Sequence, residues 1–128
     1  MAADLRRPRF AIVEDDPFMA ELVADMLSTS DVDVEVFPLA ADFFKSSNLP
    51  NFKAIVLDLS LPDMEGFDVM DKLASIGTSS SILVMSGHDH AIVAASKIYG
   101  RGIGLKMQAA LTKPFTRTEL LAALDWPA

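Results

Sequence analysis

Four apolar residues, Ala54 to Leu57, run without a polar break into Asp58, and Leu-Ser60-Leu-Pro62 and then Gly66 follow the acid. An uninterrupted apolar run rich in Ile and Val predicts a strand covered on both faces, as in a parallel sheet flanked by helices. Asp58 then stands at the carboxyl end of that strand, where open α/β sheets collect their ligands. Pro62 and Gly66 turn the chain and shape the loop beside the acid. Two roles are open to such an aspartate: capping the turn that follows it, or chemistry.

The remaining chain repeats this alternation. Phe10 to Val13 runs into Glu14-Asp15-Asp16-Pro17, which predicts a strand, a polar loop and a helix with Asp16 as N-cap and Pro17 at the first helical position. Met19, Leu22, Val23, Met26 and Leu27 give that helix one apolar stripe. Val32, Val34 and Val36 alternate with acids as in a strand nearer the sheet edge, and Leu39 to Lys45 predicts a short helix. Phe67, Val69, Met70, Leu73 and Ile76 predict a third helix stopped by Gly77. Ile82 to Met85 predicts a strand ending at Ser86-Gly87, followed by a helix from Ala91 to Tyr99 that the glycines at 100, 102 and 104 break. Ala109 to Thr112 predicts a short fifth strand ending at Lys113-Pro114. Thr116-Arg-Thr-Glu119 has the form of a capping box opening a last helix through Leu120, Leu121 and Leu124. Five strands alternating with five helices predict an α/β fold, a doubly wound five-stranded parallel sheet of flavodoxin-like order 2-1-3-4-5.

With 128 residues, 51% of them hydrophobic, the chain has the material for one domain with a real core, and residues 1–8 are expected to be a short polar N-terminal extension. Arg6, Arg7 and Arg9 are expected to be a solvated end. A formal charge of −7 without a basic stripe argues against nucleic acid as a partner. There is no cysteine, hence no disulfide framework or thiolate chemistry. No apolar run reaches the length of a membrane span and Met1 to Pro8 lacks a signal-peptide core, so a cytoplasmic location without membrane contact is expected.

Glu14-Asp15, Asp58, Ser86 and Lys113 fall at the predicted carboxyl ends of strands one, three, four and five. In the order 2-1-3-4-5, strands one and three are neighbours and the three carboxylates converge. Two unit charges about 4 Å apart repel by roughly 4 kcal/mol at an effective dielectric near 20, so something cationic must offset them. Oxygen ligands without nearby His or Cys favour Mg²⁺. Lys113 would draw an anion into the same crevice, and Ser86 would offer it a hydroxyl. His88 and His90 flank Asp89 but lack a third ligand, so zinc is not expected.

The residues Ile12-Val-Glu14-Asp15-Asp16-Pro17, Leu57-Asp58-Leu-Ser-Leu-Pro62 with Gly66, Val84-Met-Ser86-Gly87 and Leu111-Thr-Lys113-Pro114-Phe115 occur in that order. Over essentially its whole length the chain resembles the CheY-like receiver domains of bacterial two-component response regulators. The resemblance implies that Asp58 accepts a phosphoryl group from a sensor histidine kinase or a phosphotransfer protein in a Mg²⁺-dependent reaction. It implies Asp15 as a direct metal ligand, Glu14 acting through water, and Asp58 and the Ser60 backbone carbonyl completing the set. Ser86 and Lys113 become the phosphoryl contacts. Such a domain catalyses only its own phosphorylation and dephosphorylation. It passes the change to a partner or output domain through its fourth helix, fifth strand and last helix, as a monomer or a weak phosphorylation-dependent dimer. Ser60 and His88 fall where the family places side chains beside the phosphoryl group, so replacing either is expected to change the lifetime of the phosphorylated state.

Two features depart from the family pattern. The position two before Thr112, commonly aromatic, is Ala110, so Met107 or Tyr99 must take the ring's part or signalling must use another rearrangement. The glycine-rich connection leading into Leu105-Lys-Met-Gln-Ala-Ala-Leu resembles receivers fused to cyclic-di-GMP phosphodiesterase domains. Competing readings are a pure interaction module that is never phosphorylated, and an Asp-nucleophile phosphatase of the haloacid dehalogenase type. The latter needs an Asp-x-Asp pair where this chain has Asp58-Leu-Ser60.

Overall fold

A computed structural model of the chain describes residues 7–28, 31–87 and 89–126. Of the expected extension, residues 1–8, the first six lie outside the described residues, as does His88. At the centre of a parallel sheet run β1 (Arg9–Val13), β3 (Ala54–Asp58) and β4 (Ser81–Ser86), with β2 (Asp33–Phe37) on one edge. The opposite edge holds two short segments, β5 (Lys106–Met107) and β6 (Leu111–Thr112), both paired with β4. The order is therefore 2-1-3-4-5 as expected, with the fifth position divided. Every residue of β3 and β4 is buried, whereas β2 is half-covered, which is why only the former read as unbroken apolar runs.

Successive strand residues point to opposite faces, so the apolar runs supply two cores at once. On one face Phe10, Ile12, Val56, Leu83 and Met85 pack against Val23 and Leu27 of α1 (Pro17–Ser28) and Leu120, Leu121 and Leu124 of α5 (Arg117–Leu124). On the other, Val13, Ile55, Leu57 and Val84 meet Phe43 of α2 (Ala40–Lys45) and Val69, Met70 and Leu73 of α3 (Gly66–Ser75). Predicted helix starts are present in atomic detail. Asp16 Oδ1 accepts the Phe18 N–H at 3.0 Å, and Thr116 and Glu119 form a reciprocal capping box at 3.1 and 2.8 Å.

Four expectations are corrected. The fourth helix, α4 (His90–Gly102), does not break at Gly100 but runs through it and Gly102 and ends before Gly104, whose φ of 92° no helix accommodates. Gly100 serves packing, because a Cβ there would lie 2.4 Å from Met107 Sδ. The fifth strand is not continuous from Ala109. Met107 pairs with Ile82, an offset of 25, whereas Leu111 pairs with Met85, an offset of 26, so one extra residue is accommodated between the segments. Leu22 and Ile76 are 38% and 52% exposed: Ala20 joins Val23 and Leu27 on the core face of α1, and Ile76 lies past the end of α3, whose core face is held by the expected Val69, Met70 and Leu73. Arg7 and Arg9 are not a simply solvated end: Arg7 donates to the Val32 carbonyl at 3.0 Å, and Arg9 pairs with Glu35 at 3.0 Å.

Candidate functional site

The pairing of Val13 with Leu57 sets the residues that follow, Glu14 and Asp58, side by side at the carboxyl edge. The Glu14 N–H continues the ladder by donating to the Phe37 carbonyl at 3.1 Å. Its side chain is 1% exposed, and both oxygens are engaged: Oε2 accepts the Asp16 N–H at 3.1 Å and Oε1 accepts from Lys113 Nζ at 2.7 Å. Asp58 is also buried, and its Oδ1 accepts the Ser60 N–H at 3.3 Å and lies 3.5 Å from Lys113 Nζ. Asp15 is exposed, yet carboxylate oxygens of Glu14, Asp15 and Asp58 lie within 4.8 Å of one another.

Lys113 reaches this cluster because β6 pairs with the end of β4, where the Lys113 N–H donates to the Ser86 carbonyl at 2.7 Å. Beside it, Thr112 Oγ1 lies 3.1 Å from His90 Nδ1 at the start of α4. Ser86 is buried and shares a cleft of about 330 Å³ with Ser60, Glu65, Gly66 and Asp89. A larger cleft of about 800 Å³, lined by Arg7, Arg9, Lys53 and Trp126, lies towards the amino ends of the strands and holds none of the clustered carboxylates.

Burial pushes the Glu14 carboxyl above its ordinary value, the hydrogen bonds from Lys113 and Asp16 oppose that rise, and the Asp58 charge adds to it. Burial by itself would lower the Lys113 ammonium, but the hydrogen bond to Glu14 and the charges of Asp58 and Glu14 outweigh it and hold the ammonium above its usual value. Among the described residues, three carboxylates thus cluster around a single ammonium, which meets two of them, Glu14 and Asp58. Hard oxygen donors that are short of positive charge fit a hard divalent cation satisfied by a few carboxylates and water.

Four hydrogen bonds made by three residues go beyond the sequence reading, and only the one at Asp89 has a local signal. Asp63 Oδ1 and Oδ2 accept the N–H groups of Ala40 and Ala41, each at 3.0 Å, and these bonds hold its carboxyl below the usual range. The partners lie 23 and 22 residues away, beyond any local signal. Asp89 caps α4 by accepting the Ile92 N–H at 3.0 Å, and the Tyr99 hydroxyl donates to Asp71 while its ring meets Phe67 at 5.2 Å. Of the two residues offered in place of an aromatic at Ala110, Met107 is buried under Gly100 and Tyr99 joins α4 to α3.

Fold and site together define a flavodoxin-like α/β domain that works with clustered acids at the carboxyl edge of its sheet. The family model for the response regulator receiver domain matches residues 10–125, and the chain belongs to that family. The cell cycle response regulator CtrA of Brucella ovis is 31% identical over 116 residues, covering 91% of this chain and 48% of that protein, and CtrA of Brucella anthropi matches equally. The chain spans about half the length of these curated relatives. A response regulator from Colwellia psychrerythraea superimposes with a TM-score of 0.81 at 28% identity, covering 94% of this chain and 95% of that one. The non-phosphorylated HemR receiver domain from Leptospira biflexa gives 0.77 at 26%, covering 93% and 92%. No helix among the described residues is long and apolar enough to cross a membrane.

Proposed function

We propose that Asp58 is the phosphoacceptor, taking a phosphoryl group from the phosphohistidine of a sensor histidine kinase or phosphotransfer protein in the cytoplasm. The observation that carries this reading is the meeting of Glu14, Asp15 and Asp58 oxygens within 4.8 Å, with Lys113 Nζ 3.5 Å from Asp58 Oδ1. In-line phosphoryl transfer asks for a placed nucleophile and neutralised oxygens more than for covalent machinery. A bond forms from an Asp58 carboxylate oxygen to phosphorus as the P–N bond of the donor breaks, and the imidazole nitrogen keeps the electron pair. Lys113, already between Glu14 and Asp58, turns its ammonium to the phosphoryl oxygens, and the Ser86 hydroxyl donates to one of them. Mg²⁺ held by Asp15, Asp58 and the Ser60 carbonyl, with Glu14 acting through water, would supply the remaining positive charge.

The domain promotes only its own phosphorylation and dephosphorylation, so it acts as a switch and not as a turnover enzyme. Ser60, exposed in the cleft beside Ser86, screens the phosphoryl group from water or orients the water that attacks it; for His88, outside the described residues, the same role rests on its place two residues after Ser86 in the sequence. The face formed by α4, the divided fifth strand and α5 passes the change to a partner or an output domain. Incubation with acetyl phosphate and Mg²⁺, followed by intact-mass measurement, tests this. A gain of one phosphoryl group that Asp58→Ala abolishes is expected, and Ser60→Ala should alter its rate of loss. Steady phosphate release would identify a phosphatase, and an unchanged mass in the native chain an interaction module.

A further inference from the structure

We infer that Asp63 is a positioning residue for the acidic centre: it ties the loop carrying Ser60 to the start of α2, and through it to the end of β1. The consequence for metal affinity rests on the phosphoacceptor reading above; the tie itself does not.

The loop from 59 to 65 is closed at its base, where the Gly66 N–H donates to the Leu59 carbonyl at 3.1 Å and Ser60 bridges Glu65. Leu59 and Leu61 are buried beneath it. Its tip is held from outside by Asp63, whose two oxygens each take one N–H at 3.0 Å from Ala40 and Ala41. Those amides belong to the first turn of α2, which has no intrahelical acceptors for them, and Leu39 before them offers no side-chain cap. From Ala40 the chain runs back through Leu39 and Pro38 to Phe37, whose carbonyl accepts the Glu14 N–H at 3.1 Å. A circuit results: the Ser60 loop, Asp63, the start of α2, the end of β2, and Glu14. Lys113 bridges Glu14 and Asp58 directly, but the ladder between β1 and β3 stops at Val13 and Leu57. The circuit through Asp63 fixes the part of the site beyond that ladder, so it sets the distance from the Ser60 carbonyl to the Glu14-Asp15 pair.

A carboxylate matches two N–H donors at once, an amide matches one, and alanine none. Asp63→Ala, Asp63→Asn and, as control, Asp25→Ala on the exposed side of α1 separate the possibilities. In metal-free protein, amide hydrogen exchange of Ser60 and Gly66 should accelerate together with that of Ala40 and Ala41 in Asp63→Ala, by about 10-fold, with a smaller change in Asp63→Asn and none in Asp25→Ala. Calorimetric titration with Mg²⁺ should show affinity reduced about 10-fold in Asp63→Ala, as for other residues that orient metal ligands without touching the ion. Faster exchange confined to Ala40 and Ala41, or Mg²⁺ binding that is measurable in the native chain and equally tight in Asp63→Ala, would make Asp63 a helix cap only and overturn the inference. The exchange measurement needs neither metal nor phosphodonor, so its outcome is independent of whether Asp58 takes up phosphate.

Discussion

The ammonium of Lys113 lies 2.7 Å from Glu14 Oε1, although 99 residues separate the two in the chain. Strand order brings them together: β1 and β4 flank β3, and β6 closes onto the end of β4. The consequence is a buried carboxylate whose charge is met by a partner from the far end of the chain, and a lysine whose position depends on the last strand being correctly registered.

Lys113→Ala removes the ammonium and leaves Glu14 buried beside Asp58. Breaking a buried pair costs about 3–5 kcal/mol. Here the lysine side chain is 21% exposed, so solvent screens part of the effect and a loss of about 1–3 kcal/mol is expected. Urea unfolding should show a lower midpoint at unchanged slope, and Mg²⁺ should recover part of the loss by taking over the lysine's role. Unaltered stability without Mg²⁺ would mean that the pair contributes nothing.

Glu14→Gln should stabilise the metal-free protein at neutral pH. Burial raises the folded-state value of this carboxyl above its unfolded one, so the folded state holds the proton more tightly. Its contribution is therefore fully present below the unfolded value and is lost as pH rises through the folded one. At neutral pH the native chain carries the full penalty of an ionised buried acid and the glutamine does not. A melting temperature higher by a few degrees at neutral pH is expected, with the gap closing as pH falls through the raised value towards the ordinary 4.5. A gap that widens on acidification would reverse the sign of the claim.

Gly66→Ala places a Cβ 2.8 Å from the Leu59 Cα and 2.3 Å from its Cδ2, so the backbone next to Asp58 must move. Overpacking of this kind costs about 1–3 kcal/mol. Denaturant unfolding reads the cost, and amide shifts at Leu59 and Ser60 should report the displacement; an amide spectrum that moves nowhere in this loop rules it out.

Gly102→Ala and Gly100→Ala differ by two positions in α4 and should have unequal effects. A Cβ at 102 meets nothing within 4 Å, so the substitution gains about 0.5–1 kcal/mol of helix propensity. At 100 it meets Met107 Sδ at 2.4 Å and Cγ at 2.8 Å, and repacking offsets that gain. Thermal melts of the two variants test the pair, and equal shifts would remove the packing role assigned to Gly100.

Much of this was legible locally. The caps at Asp16 and Thr116 depend on residues two or three apart, and the buried strands announce themselves by unbroken apolar runs. Gly100 misled because a glycine that relieves a contact and one that ends a helix look alike in sequence; the close approach of Met107 distinguishes them. The fifth strand misled because the extra residue between Met107 and Leu111 leaves no compositional trace. The double acceptor at Asp63 was silent for the same reason, its donors lying 23 and 22 residues upstream.

By itself, the order of apolar runs, acids and caps determined the α/β class, the order of the elements and the residues that end each strand, because those depend on periodicity and on neighbours within a turn. Only the tertiary structure decided which oxygen faces which ammonium, that Glu14 uses both of its oxygens, and that Asp63 holds a helix it does not precede. Such contacts are set by strand register and helix docking, and a shift of one residue in either turns a side chain to another face.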